Sequence, residues 1–553
     1  MSARYSRPRI DRVLSALIQT AYLPAEIPPT VTARYFADHI RSNYKTLKSY
    51  KPSIPTHFDK FSIPRENGTR RDLAVVHPAA QLGLSTILAQ NHKSIRDIIK
   101  KTGISLYDTQ IDLDNFKAFK GISFRELDNK RTEIAEKKRF ILNADISRFF
   151  YTIYTHSIPW AVVGKEKIKE KILQKSKMKK SFHWTERIDA ALQMCQSRET
   201  FGIPVGPDTS RIIAEILLSG IHSDPDFQSH IDKSEGFRLV DDFFIGFESE
   251  IECHNTLRSL KNSLGIYNLQ LNDDKTWIKS SRDIFMDRWR YELLHVHIPL
   301  DDGWQQARSV KRLAELALYH SKDVGNAFPV KWAAQKLLHT TFHRENFDLL
   351  LSIFLRFSRD FPICVNIAVA FIINNKAASS KEPAILQIKD WVRSIFRNHG
   401  QHSHDFEVSW ALVVCGSLKI RVSRNDFGEY FESMCSVAFA TLGLLQTHNL
   451  LEDTLSSFNW RGQVKKSGLN GPHWLMYYES VLRKWTNDKK MIDSVNSHDL
   501  FGKLVKDKIS FLDDTVFGDI TINLDRRRIS RIRRNSPREN FGVQYGSFGL
   551  GSI

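Results

Sequence analysis

Cysteine is scarce. Five occur in 553 residues, at 195, 253, 364, 415 and 435, and no two form a C-x-x-C pair. That spacing excludes a zinc ribbon and a disulfide framework. Cys415 closes the apolar run Ala411-Leu-Val-Val, so these thiols are expected as small buried hydrophobes in a reducing compartment. Long apolar runs are missing too: no 18 consecutive uncharged apolar residues occur, and the longest run, near Ile363–Ile373, is too short to cross a bilayer. The first residues, MSARYSRPRIDRVLSALIQTAYL, show no apolar h-region and no small-residue cleavage pattern. The expectation is a cytoplasmic protein with no membrane partner. Acidic charge is in deficit, 62 Asp plus Glu against 80 Lys plus Arg, for a net +18. Such a surplus is read either as fitting a polyanionic partner, most commonly nucleic acid, or as a cationic surface that binds nothing specific.

What is present is ordinary globular material, 42% hydrophobic and 26% charged. Residues 61–82 alternate in polarity around Glu66-Asn-Gly-Thr69, and Asn-Gly between extended runs predicts a hairpin. Residues 139–146 (RFILNADI) predict a strand. A helix-like stretch runs on to about 200. It includes Lys165–Lys180, with eight Lys and two Glu, read as a solvated helix face. Residues 202–222 open with Gly and Pro and become an apolar helix. Residues 237–247 (FRLVDDFFIGF) predict a second hairpin, with helix over 251–265 and a turn and strand over 269–278.

After about 300 strand signals fade. Amphipathic helices are predicted at 304–321, 330–342, 345–358, 363–374, 383–398 and 406–418, and onward to about 486. Their pairing suits a helical-repeat-like domain. Trp304, Trp332, Trp391, Trp410 and Trp474 are expected in helical cores. The tail carries Arg526, Arg527, Arg528, Arg531, Arg533 and Arg534 before a Gly-rich end. It is expected to be flexible or ordered on a partner.

Three acids stand in apolar surroundings. Asp145 ends FILNAD, and Asp241 and Asp242 sit inside LVDDFF. A bare carboxylate in such company is costly, and two adjacent ones at a hairpin repel each other. Divalent cations remove both problems. Two of them about 4 Å apart activate an attacking hydroxyl and stabilise a leaving pyrophosphate. Each Asp alone reads better as a solvated turn residue; their order along the chain argues otherwise.

Asp145-Ile-Ser-Arg-Phe-Phe150, Gly202-Ile-Pro-Val-Gly206-Pro-Asp-Thr-Ser210, Leu239-Val-Asp241-Asp242 and Leu271-Asn-Asp-Asp-Lys275-Thr276 resemble, in sequence order, palm motifs A to D of the reverse transcriptases. The resemblance covers about residues 60–280. Motif C has Val where many members have Ala, and motif B has Val205 where many have Gln. The resemblance implies that Asp145 and Asp241 are the direct metal ligands, helped by the Ile146 carbonyl, with Asp242 a weaker one. It implies two Mg²⁺ ions, with Mn²⁺ as a substitute. Phe150 matches the steric gate that prefers dNTP over rNTP. Gly206 and Ser210 would lie against template and incoming base, and Lys275 would protonate pyrophosphate. Phe61-Ser-Ile-Pro-Arg65-Glu-Asn-Gly-Thr-Arg70-Arg71 resembles the fingers hairpin, where Arg65 and Arg71 would grip the triphosphate bidentately. Strand alternation leaves Arg70 as the alternative to Arg71.

The implied fold is α+β. A fingers–palm module over 1–290 is followed by an all-α, helical-repeat-like domain over 291–520 and a basic, Arg- and Gly-rich tail over 521–553. Motif B continues Arg-Ile-Ile-Ala-Glu215, and the extension carries His404-Asp-Phe-Glu-Val-Ser-Trp410. Both look like the bacterial abortive-infection and defence-associated reverse transcriptases. Those relatives imply a homo-oligomer in antiphage defence, making DNA from dNTPs without an ordinary primer, protein-primed and either RNA-directed or template-independent. Tyr44 and Tyr545 are the candidate priming hydroxyls. A retron- or intron-type enzyme copying an RNA template is the alternative, and a non-catalytic nucleic-acid-binding scaffold is the rival class.

Overall fold

Polarity alternates along residues 59–75, and the chain folds there into a hairpin of β1 (Asp59–Pro64) and β2 (Arg70–Val75), with Pro64 opposite Arg70. Gly68 takes a φ of +78°, and the Asn67 carboxamide oxygen accepts from the Thr69 amide at 3.2 Å, which closes the turn. Period-two alternation buries Phe61, Ile63, Leu73 and Val75. Arg71 shares that face because it pairs with Ile63; Arg70 points to the other.

The structure, a computed structural model, describes residues 10–47, 50, 52–106, 124–173, 183–284, 287–428, 434–455, 460–524 and 528–531. Its main sheet has four antiparallel strands in the order β4 (Glu235–Leu239), β5 (Asp242–Phe247), β3 (Phe140–Asp145) and β6 (Trp277–Ser280). The predicted strand at 139–146 is therefore central, and Ile141, Leu142 and Ala144 are all buried. One face is covered by the helix Glu250–Ile266. The other is sealed by Leu127 and Ile134 of the helix Phe124–Lys137, packed with Ile141, Phe237 and Phe244. The stretch expected as one long helix after 146 is several: Phe149–Thr152, Ser157–Val163, Lys165–Leu173 and Trp184–Cys195. Residues 174–180 of the lysine-rich segment lie outside the described residues.

Beyond 300 the helices are Gly303–Asp323, Phe328–Leu338, Phe347–Asp360, Val365–Asn374, Ala384–Gly400 and Asp405–Leu418, near the predicted spans. They pack in successive pairs. The hydrophobic core does not stop at residue 290. A single cluster includes Val13, Leu73, Val365, Trp474 and Phe511. The Trp474 indole donates to the Val75 carbonyl at 3.1 Å, and the Ser436 amide donates to Asp59 Oδ2 at 2.8 Å. The Thr32 amide donates to Phe511 O at 2.8 Å. The hairpin β1–β2 is thus seated on the C-terminal helices as well as on the chain that follows it.

Trp391, Trp410 and Trp474 are buried as expected. Trp304 is not: it is 66% exposed, under the Arg308 guanidinium at 4.8 Å. It occupies the first turn of its helix, where the apolar stripe has no neighbour to cover it. All five cysteines are buried and unpaired. The basic tail begins with order, because β7 (Ile520–Asn523) and β8 (Arg528–Arg531) pair antiparallel. Asn374 clamps Ile522 by two backbone contacts of 3.1 and 2.8 Å. Residues 532–553 lie outside the described residues. No helix among the described residues is long and apolar enough to cross a membrane.

Candidate active site

Asp145 is the last residue of β3 and is 4% exposed. Ladder pairing puts Asp242, the first residue of β5, directly opposite it. Asp241 lies in the two-residue turn between β4 and β5, and its carbonyl accepts from the Ile146 amide at 3.3 Å. The sheet therefore gathers the three acids and Ile146 at one end of two adjacent strands. Lys275 joins them, with Nζ 3.1 Å from Asp145 Oδ2. Its backbone is fixed by Asn143, whose amide side chain donates to the Lys275 carbonyl at 3.0 Å.

The electrostatics are unfavourable as they stand. Burial, then the negative charge of Asp145, pushes Asp241 up to about 6. Asp242 is also raised, by burial, by Asp241 and by a hydrogen bond shared with Asp145. Lys275 pulls both the other way, and Arg71 pulls Asp241, without offsetting the crowding.

The turn is strained. Val240 has a φ of +55°, a region that β-branched residues avoid. It is held by Arg238, 1% exposed, which donates to the Val240 carbonyl at 2.8 Å and forks onto Glu215 at 2.8 and 2.9 Å. Ser105 Oγ also donates to Glu215, at 2.9 Å. Sequence reasoning gave Arg238 and Glu215 no part in the site. The available signal was a lone Arg in the apolar strand Phe237-Arg-Leu and a lone Glu in the apolar helix Ile212-Ile-Ala-Glu-Ile.

The hairpin β1–β2 brings Arg71 towards the acids. Arg71 feels Arg65, Tyr151 and Asp241, and burial with the Arg65 charge lowers its affinity for its proton. The Nε atoms of Arg65 and Arg71 are buried with no hydrogen-bond partner. Two guanidinium groups with buried, unsatisfied Nε donors, Arg71 within the field of Asp241, would be compensated by an anion. Arg70 turns the other way. It forks onto both oxygens of Glu407, at 2.8 and 2.9 Å, and is not free to bind a ligand.

Phe150 is half-buried in the short helix after Asp145, its ring 5.6 Å from that of Phe149. Its carbonyl accepts from the Ile203 amide at 2.9 Å, tying it to the loop 202–207. That loop is seated on the hairpin, since the Ala74 amide donates to Val205 O at 2.7 Å. Gly206, at φ +112°, could carry no Cβ: the atom would lie 2.8 Å from Pro24 Cγ. Ser210 is 1% exposed inside the helix Asp208–His222, so it offers no hydroxyl to an incoming base in this arrangement. Tyr44 lies on a four-residue helix, and its phenol is raised by burial and by Asp11. A phenol readied near cations would move in the opposite direction. Tyr545 lies outside the described residues.

Hard oxygen donors, crowded and short of positive charge, fit divalent cations of the Mg²⁺ or Mn²⁺ type. Asp145, Asp241 and Asp242 are the oxygen donors present for such ions, although their ligand atoms do not all lie within 4.8 Å of one another.

No family model matches the chain, and no curated protein matches it. Solved telomerase structures are similar over part of it. A C-terminally truncated apo telomerase from Candida tropicalis aligns at 14% identity over 45% of this chain and 56% of that one, with a TM-score of 0.27. Apo telomerase from the same organism aligns at 12% identity over 68% and 74%, TM-score 0.30. Telomerase from Candida albicans, in complex with a TWJ fragment of telomeric RNA, aligns at 13% over 65% and 68%, TM-score 0.24. The chain spans little more than half the length of the first of these. Likeness at such scores carries no functional weight.

Proposed function

We propose that the protein is a DNA polymerase of the reverse-transcriptase type, transferring nucleotides from dNTPs. The observation that carries this reading is the meeting of Asp145 with Asp241 and Asp242 at the end of β3 and β5, with Arg71 in the field of Asp241. The motif order along the sequence is the second support.

Asp145, Asp241, Asp242 and the Ile146 carbonyl would hold two Mg²⁺ ions. Bound there, the ions supply charge neutralisation and Lewis acidity at the phosphate. The chain's own groups do the rest. Arg65 and Arg71 bind the triphosphate oxygens and orient the α-phosphate. A 3′-hydroxyl, or a protein hydroxyl, forms the new P–O bond as pyrophosphate leaves. Lys275 gives a proton to the departing pyrophosphate. The Phe150 ring fills the space of a 2′-hydroxyl and so selects dNTPs. Nucleic acid is held by a chain of net charge +18, so binding weakens with salt as counterions are released.

The finer reading is an antiphage-defence enzyme of the abortive-infection kind, homo-oligomeric and primed on its own tyrosine. It rests on the motif B form and the long helical extension. A retron- or intron-type enzyme would instead copy a dedicated RNA, and sequencing of copurified nucleic acid separates the two.

The decisive experiment is incorporation of labelled dNTP by wild type and by Asp241→Ala. Incorporation by wild type alone supports the polymerase. Equal signals, or none with any template, primer or divalent cation, leave the scaffold reading.

A further inference from the structure

The turn between the helices Ala384–Gly400 and Asp405–Leu418 brings together two imidazoles and a carboxylate that the polymerase reading does not use. The amides of His402 and His404 both donate to the His399 carbonyl, at 3.2 and 3.1 Å. Ser403 adopts a left-handed φ of +52°, which lets the chain reverse in so few residues. His399 Nδ1 then lies 2.9 Å from His404 Nδ1 and 3.9 Å from Glu407 Oε1. Among the described residues, these three offer potential ligand atoms that all lie within 4.8 Å of one another.

The chemistry of the cluster can accommodate a cation. Two Nδ1 atoms face each other, and one proton between them satisfies one as donor and the other as acceptor. A metal ion takes a lone pair from each. The Glu407 side chain is fully buried. Arg70 takes one lone pair from each of its oxygens, and a carboxylate has about four such sites, so capacity remains on the His399 side. A donor set with two imidazoles and one carboxylate suits Zn²⁺ better than Mg²⁺. Water, or the exposed His402, whose ring centroid is 5.5 Å from that of His404, can complete four-coordination.

We propose that His399, His404 and Glu407 form a site for a zinc-class divalent metal, distinct from the Asp145 cluster. The site lies where the hairpin is anchored. The Ser62 amide of β1 donates to Asp405 at 3.2 Å, and Arg70 of β2 grips Glu407. A metal that fixes the Glu407 carboxylate therefore stiffens the seat of the strand that also carries Arg71. The proposal does not depend on the polymerase reading.

The test uses the full chain, stripped with a chelator and titrated with Zn²⁺ against a chromophoric competitor. Co²⁺ then reports coordination number through its visible absorption. Wild type should bind one equivalent of Zn²⁺ and show four-coordinate Co²⁺ bands. His399→Ala with His404→Ala should weaken binding more than about 100-fold, beyond what loss of an outer-shell partner costs. Asp145→Asn with Asp241→Asn should leave that equivalent in place. Should the alanine pair fail to fold, His399→Asn with His404→Asn keeps the polar volume and should show the same loss. Tight Zn²⁺ binding that survives the histidine changes, or its absence from wild type, overturns the site.

Discussion

Buried acids in the helical half and buried acids in the sheet keep different company. Glu407 meets the Arg70 fork. Glu479, fully buried, accepts from Arg483 at 3.1 Å, from Ser510 at 2.9 Å and from the Phe511 amide. Behind the sheet, Glu215 meets the Arg238 fork. Each of these charges is neutralised at contact distance and serves to join distant segments. At the end of β3 and β5 three carboxylates share one lysine contact. Among the arginines of the hairpin, Arg70 is filled while Arg65 and Arg71 keep buried Nε donors without a partner. Incomplete compensation is the mark of a site that awaits charged ligands; Glu215 and Glu479 are joints, and Glu407 is a joint whose remaining lone pairs face His399. Asp59 stands between the two, raised to about 6 by burial but bonded to the Ser436 amide.

The contrast breaks most sharply at the open cluster. Asp145→Asn or Asp241→Asn should abolish dNTP incorporation and leave the circular dichroism spectrum unchanged. Near-wild-type turnover by either variant would end the assignment.

At the closed joint the loss should appear in stability. Glu407→Ala leaves Arg70 without its partner and should cost about 3 kcal/mol, the lower end for breaking a buried pair, because the Arg70 side chain is 24% exposed. Urea denaturation in the presence of chelator measures it. A change below a few tenths would mean the pair adds nothing.

The neighbouring arginines separate the two behaviours within one strand. Arg71→Ala should raise the KM for dNTP by about 1.5–3 kcal/mol of lost binding, the value of a charge-assisted contact. Arg70→Ala should lower the melting temperature instead, through its buried partner. The reverse pattern would shift the functional register of β2 by one residue.

The smallest effect is selectivity. Phe150→Ala should relax discrimination between dNTP and rNTP, read as the ratio of kcat/KM values. An unchanged ratio would make Phe150 a packing residue, in keeping with its ring contact to Phe149.

Much of the local structure was legible from residue pattern. Alternation and Asn67-Gly68 marked the first hairpin, and apolar runs marked β3 and the paired helices after 300. The nearness of Asp145 to Asp241–Asp242 was legible only through motif order, since nothing local in FILNAD says which strand lies beside it. Contacts between distant segments were not legible. The partner of Arg70 is 337 residues away, and alternation could say only that Arg70 and Arg71 face opposite sides. The exposure of Trp304 was missed because an apolar position on a helix does not show whether a neighbour covers it. His399 and His404 drew no attention as a pair, because their approach depends on the left-handed turn at Ser403. Ser210 carries the right motif, yet it is buried in its helix.

The central claim is that the Asp145 cluster is short of positive charge until divalent cations bind, and melting curves against pH test it directly. The folded-state pKa of Asp241 is raised, so folding takes up protons between about 4 and about 6. Without metal, stability is greatest below that window and falls as pH rises through it. Asp59 contributes the same fall to wild type and to Asp241→Asn, so the difference between the two reports the Asp241 charge together with its share in raising Asp242. At pH 8 in chelator, Asp241→Asn should melt above wild type; on adding Mg²⁺ or Mn²⁺, wild type should rise and the variant should stay nearly still. A variant that melts below wild type in chelator, or that gains as much from the cation, would contradict the claim.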